Sequence, residues 1–293
     1  MLARGAESVL FRATAGHATF CAKAIRNVLG RTFAPPAGEN QDGILDASYR
    51  SKVRHLHNEF EVGQALLSPG EIPVVRIFAL RKVRRFGVEM GYDLLMERIE
   101  GSDMGDRQFT RALSVTDKID ILHQTLKALA YLHCRRYIHL DMKPSNIMVT
   151  NGRVKLIDFG VSVSLGHRPH AVTGTAGYLS PEQIVRDSLD EATDMFSLGI
   201  TFTVIFGGHP LRQDPADLKS RQLHSEARYH LETVTQPTVS DIPELAEYPE
   251  IAQFIIQCTV PRRDKRLANP ALFIRGLEAA AAAREVRLTL PQA

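Results

Sequence analysis

The chain contains no tryptophan, and only three cysteines occur in its 293 residues. Cys21, Cys134 and Cys258 lie far apart, form no CxxC pair and are odd in number. That pattern excludes a disulfide framework and a thiolate zinc site, and it predicts three reduced core residues in a cytosolic compartment. Long apolar runs are missing as well. The longest, Met195 to Phe206, is interrupted by Ser and Thr and falls short of the ~20 residues of a spanning helix. The opening MLARGAESVLFR carries arginines where a secretory signal places its apolar stretch, so no signal peptide is expected and the predicted location is cytoplasmic. Blocks of like charge are absent too. The 36 basic and 33 acidic residues leave a scattered net charge of +3, which gives no warrant for nucleic-acid binding.

What is present is the composition of a globular enzyme, 44% hydrophobic and 24% charged. A chain of this length buries roughly 75% of its unfolded surface and needs no metal or disulfide to hold a core. Strands come first. Short β-branched or apolar runs at Ser8 to Arg12 and Thr19 to Ile25, with a turn around Ala15-Gly16-His17, predict two, and Val74 to Leu80 and Gly87 to Met96 predict two more. Tyr49 to Leu67 reads as a helix ended by Ser68-Pro69-Gly70. Arg26 to Ala47, with Pro35-Pro36, Gly38 and Asp42-Gly43, lacks periodicity and predicts a long insertion loop over 26–47. Beyond Glu100-Gly101 the periodicity becomes helical, at Val115 to Tyr131, Thr193 to Phe206, Pro249 to Cys258 and Pro270 to Ala283. The expected class is α+β, with a small lobe over 1–99 and a helical lobe over 100–293.

The most informative stretch is HLDMKPSNIMVTNGRVKLIDFG, His139 to Gly160. Asn151-Gly152 is the dipeptide of a two-residue hairpin turn, and apolar strands flank it. Folding there pairs Thr150 with Arg153, Met148 with Lys155 and Asn146 with Ile157, which brings Asn146 and Asp158 to the open end of the hairpin. An amide oxygen beside a carboxylate suits Mg²⁺, which takes one or two protein oxygens and keeps its other positions for water and phosphate. Asp141 and Lys143 lie just before, on a loop. Standing alone, such a hairpin reads equally as a solvated surface turn.

It does not stand alone. His139-x-Asp141-x-Lys143-Pro144-x-Asn146 and Asp158-Phe159-Gly160 resemble the catalytic loop and metal-binding triplet of the eukaryotic-like (Hanks-type) serine/threonine protein kinase family. GTAGYLSPE, Gly174 to Glu182, resembles the end of that family's activation segment, with Ser180 where Ala is usual. DMFSLGI, Asp194 to Ile200, resembles the start of its central helix, and Arg266, following Cys258, fits the late arginine that pairs with Glu182. The proline expected just before that arginine is missing.

The resemblance implies a bilobal protein kinase-like fold, a small antiparallel β-sheet lobe with one helix plus a larger mainly helical lobe. It also implies transfer of the ATP γ-phosphoryl group, with Mg²⁺ or Mn²⁺, to a Ser or Thr of a protein substrate. Asp141 would orient the hydroxyl and accept its proton. Lys143 would sit against the γ-phosphate, and Asn146 and Asp158 would hold the metal. Thr175 would bridge Asp141 and Lys143, a mark of the serine/threonine branch, and Thr173 is a further hydroxyl of the activation segment. His139, Phe159, Asp194 and Arg266 would be structural.

In the small lobe, strand alternation puts Cys21, Lys23 and Ile25 on one face. By the resemblance Lys23 meets the α- and β-phosphates and a helix glutamate, either Glu59, which the spacing to Pro69 favours, or Glu61. The bulky residue expected one helical turn after that glutamate is replaced by Gly63. The phosphate-covering loop keeps one glycine, in Ala3-x-Gly5-x-x-Ser8, which predicts weaker nucleotide binding through Gly5 and Ser8 or a more mobile lid, and not loss of the site. Gly91 to Gly101 resembles the strand and hinge joining the lobes. Met96 would guard the back of the nucleotide pocket, and the Glu97 carbonyl and Ile99 N–H would meet the adenine edge. Leu10 and Cys21 would lie above the ring and Met148 below it. The residue before the catalytic aspartate, often an arginine that captures a phosphate on the activation segment, is Leu140.

Two other classes compete. A small-molecule kinase of the same fold usually lacks the DFG triplet and the segment ending in PE. A pseudokinase, a folded binding module, typically loses the lysine, the loop aspartate or the metal aspartate, whereas Lys23, Asp141 and Asp158 are all present.

Overall fold

The computed structural model describes residues 3–4, 9–16, 18–27, 39–86, 88–213 and 236–289. The chain forms two compact units, Met1–Glu100 with Asp158–Gly160, and Gly101–Ile157 with Val161–Ala293. The triplet Asp158-Phe159-Gly160 thus clusters with the N-terminal unit, although it lies far along the sequence.

The first unit is a five-stranded antiparallel sheet in the order β1 (Ala3–Arg4), β2 (Val9–Ala15), β3 (Ala18–Arg26), β5 (Val88–Glu97) and β4 (Ile77–Arg85). Helix α1, Glu39–Ala65, packs against it. Leu56, Glu59, Val62, Gly63 and Leu66 are all buried, spaced three and four apart as a helix stripe facing a sheet requires. Three expectations are corrected here. α1 starts at Glu39 rather than Tyr49, and β3 runs through Arg26, so both ends of the loop expected over 26–47 belong to these elements, while 28–38 lie outside the described residues. Asp42-Gly43 lies inside the helix, where a glycine costs about 1 kcal/mol against alanine and a 27-residue helix absorbs it. The fourth strand begins at Ile77 and continues to Arg85 instead of spanning Val74 to Leu80. It is an edge strand, and its exposed Arg81, Arg84 and Arg85 discourage pairing with another chain.

The second unit is mainly helical. Its elements are β6 (Ser102–Asp103), α2 (Arg107–Ala112), α3 (Val115–Cys134), β7 (Tyr137–Ile138), β8 (Ile147–Thr150), β9 (Arg153–Leu156), β10 (Val163–Ser164), α4 (Pro181–Val185), α5 (Glu191–Ile205), α6 (Pro249–Cys258) and α7 (Pro270–Ala283). A capping box of Ser114 and Asp117 starts α3, and Asp190 caps α5. α5 is buried almost all round, which makes it the axis of the core, with α6 packed on it and α7 on α3. β8 and β9 form a hairpin in the register Met148–Lys155 and Thr150–Arg153, and β6 pairs with β8. Cys21 and Cys258 are buried, but Cys134 is exposed. It ends α3 one residue beyond the buried Leu132-His133, turned off the apolar stripe. No helix among the described residues is long and apolar enough to cross a membrane.

Candidate active site

In the helical unit the loop between β7 and β8 hangs from one carboxylate. Asp194, in the first turn of α5 and fully buried, accepts hydrogen bonds from the main-chain N–H groups of His139 (2.8 Å) and Leu140 (2.9 Å). A third bond joins it to His133 Nε2 at 2.8 Å. His139 is buried, and its Nδ1 accepts from the Asp141 N–H at 3.3 Å. Its Nε2 therefore carries the proton and donates to the Ile157 carbonyl at 3.1 Å. Leu140 adopts φ +67°, a conformation unusual for a branched side chain. Over-determined backbone of this kind holds Asp141 in place.

Asp141 is gripped at both oxygens. Thr175 Oγ1 donates to Oδ1 at 2.6 Å, and Lys143 Nζ donates to Oδ2 at 2.7 Å. Lys143 also donates to Thr175 Oγ1 at 2.8 Å, which closes a triangle. Asn146 Nδ2 donates to the Asp141 carbonyl at 2.7 Å. That bond fixes the amide orientation and turns its oxygen into the group that can serve a hard cation. The Asn146 carbonyl in turn accepts from the N–H of Ile157, the residue before Asp158, at 3.1 Å. Among the described residues no group of three or more His, Cys, Asp or Glu could hold a metal ion. The Asn146 amide oxygen is a hard donor of the kind a cation such as Mg²⁺ takes beside phosphate and water.

The segment between Asp158 and Glu182 is held by packing and by hydrogen bonds. Leu140 is buried with Ile138 and Leu189, and Val161, Val163 and Leu165 pack on them. β10 pairs with β7. Gln183, buried at the start of α4, donates from Nε2 to the carbonyls of Leu140 (3.0 Å) and Thr173 (2.9 Å), and its Oε1 accepts the Ser180 N–H at 3.0 Å. Gly174, at φ +117°, lets these groups close in, since a Cβ there would lie 2.8 Å from the Leu140 oxygen. Ser162 donates to the His139 carbonyl at 3.1 Å. Glu182 and Arg266 form a buried two-bond pair at 2.6 and 3.1 Å.

The sheet unit carries a second constellation. Lys23 Nζ lies 2.7 Å from Glu59 Oε2 and 3.1 Å from Asp158 Oδ1. Burial pulls the ammonium towards neutrality, but the two carboxylates override it and hold its pKa above the usual lysine range. Burial raises the Glu59 pKa, and Lys23 opposes that rise. Glu61, the alternative partner, is exposed. Asp158 itself adopts φ +67°. Asn58, one residue before Glu59, donates to the carbonyls of Phe159 (3.0 Å) and Gly160 (3.1 Å), and Phe159 is fully buried. Leu10 pairs with Lys23 and Cys21 with Met96, so these four side chains share one face of the sheet. Burial also raises the Cys21 thiol pKa, which keeps it an apolar wall rather than a thiolate. Glu97 ends β5 and Ile99 follows it, whereas Met148 lies on β8 of the helical unit. Gly5 and Ser8 lie outside the described residues.

Gly63 is not a gap. A Cβ there would lie 2.5 Å from Ile77 Cδ1 and 2.8 Å from Ile77 Cβ, so the Ile77 side chain occupies the space that a bulky helix residue would fill. Neither Gln183 nor Asn58 carries a signal in the sequence, because both bond main-chain carbonyls distant along the chain.

The sequence model of the protein kinase domain matches residues 47–275. The chain belongs to the protein kinase domain family. Its antiparallel sheet unit and helical unit are the two parts of that fold. The kinase domain is 34% identical over 155 residues to the mitogen-activated protein kinase kinase mkk2 of Aspergillus fumigatus, covering 51% of this chain and 31% of that protein. It is 32% identical over 157 residues to the serine/threonine-protein kinase PknA of Mycobacterium tuberculosis, covering 51% and 35%. Myosin light chain kinase 3 of Danio rerio is 28% identical over 239 residues, 78% of this chain and 32% of that protein. The chain spans about a third of the length of these curated relatives.

Proposed function

We propose that this kinase domain transfers the γ-phosphoryl group of ATP to a serine or threonine hydroxyl of a protein substrate. Asp141 orients the hydroxyl and takes its proton. The observation that carries the reading is the closed triangle of Asp141, Lys143 and Thr175, which leaves that carboxylate one orientation. The transition state of such a transfer is loose, so positioning and charge neutralisation do most of the work. Lys143 faces the γ-phosphate. Lys23, kept charged by Glu59 and Asp158, takes the α- and β-phosphates. The face of Leu10, Cys21 and Met96 takes the adenine ring, and Glu97 and Ile99 offer main-chain groups to its edge. Asn146 and Asp158 would hold Mg²⁺ or Mn²⁺. When bound, the cation neutralises charge developing on the phosphoryl oxygens.

Serine and threonine are favoured over tyrosine by Lys143 and by the relatives named as serine/threonine kinases. A cytoplasmic site of action fits the free thiols of Cys21, Cys134 and Cys258. Incubation with labelled ATP, Mg²⁺ and a mixed protein extract, followed by phosphoamino-acid analysis, tests the reading. Label on serine or threonine, abolished by EDTA and restored by Mg²⁺ or Mn²⁺, is the expected result. Label on tyrosine alone, on a small molecule alone, or on nothing would overturn it.

A further inference from the structure

The helical unit holds a pocket of about 490 Å³ whose wall includes Lys143, the lysine bonded to Asp141. Its polar lining is lopsided. Arg107, Arg111, Lys118 and Lys143 stand against a single carboxylate, Glu244, with His209 beside them. Lys118 is buried and already paired with Glu244, and Lys143 is committed to Asp141 and Thr175. Arg107 and Arg111 have no carboxylate partner among the described residues, and both are exposed.

They sit four residues apart on α2, hence on one face and one turn apart. Two like charges at that spacing repel, which costs a short helix stability unless an anion lies between or above them. A planar guanidinium pair is also the geometry that grips a carboxylate or phosphoryl group with two parallel hydrogen bonds.

We infer that this pocket reads an anionic side chain of the protein substrate, close in sequence to the accepting hydroxyl, with Arg107 and Arg111 as the specificity-determining residues. The inference rests on the protein kinase reading above. Lys143 supplies the link. It borders the pocket and bonds the carboxylate assigned to the acceptor hydroxyl, so a peptide with its serine at Asp141 has neighbouring residues in reach of α2. The shared chemistry is a resonance-stabilised oxyanion, from aspartate, glutamate or a phosphorylated residue.

The test is kcat/KM on peptides with one central serine, in which each flanking position in turn is Ala, Glu, Lys or phosphoserine. At one or more positions Glu is expected to exceed Ala ten-fold or more, and Lys to fall below Ala. The double variant Arg107→Glu/Arg111→Glu should reverse that order, and Arg107→Lys/Arg111→Lys should keep it. Phosphoserine outranking Glu would assign the pocket to a phosphoryl dianion, and the reverse order to a carboxylate. Equal rates on the Ala and Glu peptides, or a Glu preference that survives charge reversal, would overturn the inference while leaving the kinase reading standing. No transfer to any peptide, the all-alanine one included, would remove both.

Discussion

Arg266 and Glu182 allow a stability prediction worked from geometry. A guanidinium has five N–H groups, and all five are used. Nε donates to the Val260 carbonyl at 2.8 Å, and Nη1 donates to Glu182 Oε1 at 2.6 Å and the Ala192 carbonyl at 2.8 Å. Nη2 donates to Glu182 Oε2 at 3.1 Å and the Pro261 carbonyl at 3.0 Å, while the cation lies 4.9 Å from the Phe196 ring centre. Glu182→Leu would leave a buried guanidinium with two orphaned N–H groups and no counter-charge. Breaking a buried pair from one side costs about 3–5 kcal/mol. Against a total stability of about 5–15 kcal/mol that loss is large. At about 2–4 °C per kcal/mol it lowers Tm by roughly 6–20 °C. Arg266→Met should lose a comparable amount, since it strands the carboxylate and three carbonyls. The double variant removes both charges, so it should lose clearly less than the sum of the singles. Urea and thermal unfolding followed by circular dichroism measure the cycle. A single variant within about 1 kcal/mol of wild type, or a double variant additive within about 0.5 kcal/mol, would refute the reasoning.

Three further outcomes are expected. Gly63→Ala should destabilise by about 1–3 kcal/mol despite its better helix propensity, because Ile77 Cβ cannot swing away from the added methyl; urea unfolding checks this, and a gain in stability would contradict the packing. His123 is fully buried, with Nε2 on Glu278 at 2.8 Å and Nδ1 unpartnered. Burial lowers its pKa, with Glu278 opposing, so below about pH 6.5 the unfolded chain binds a proton that the folded one resists. Stability should therefore fall with acidification from that point, by at most about 1.4 kcal/mol per pH unit for this group, and His123→Leu should flatten the slope. Thr173→Ala, or phosphatase treatment, should change the transfer rate less than ten-fold, because Leu140 and Gln183 already order the segment by packing and hydrogen bonds. A larger loss in both would mean that a basic residue reads a phosphate there.

The parts legible in the sequence were those written in adjacent residues. Asn151-Gly152 specified the hairpin, and with it the Met148–Lys155 register, because a two-residue turn leaves one pairing. Period-two alternation put Cys21 and Lys23 on one face because a strand permits nothing else. Features that depend on distant backbone were not legible. Gln183 and Asn58 serve carbonyls of Leu140, Thr173, Phe159 and Gly160, and side-chain bonds to backbone leave no spacing pattern. Gly63 looked like a defect only because its compensation, Ile77, sits on another element. The start of α1 was obscured by Asp42-Gly43, a turn dipeptide overruled by the helix around it, and the length of β4 by the edge-strand arginines that end its apolar run.

The most direct test of the central claim is the initial rate of phosphate transfer from labelled ATP to a serine peptide library, for the wild-type chain and for Asp141→Asn. The substitution preserves shape and an acceptor for Thr175 but removes the carboxylate that takes the proton. The expected result is Mg²⁺-dependent labelling of serine by the wild type, reduced about 10²–10⁴-fold in the variant while nucleotide binding and Tm stay close to wild type. A rate within ten-fold of wild type in the folded variant would contradict the account.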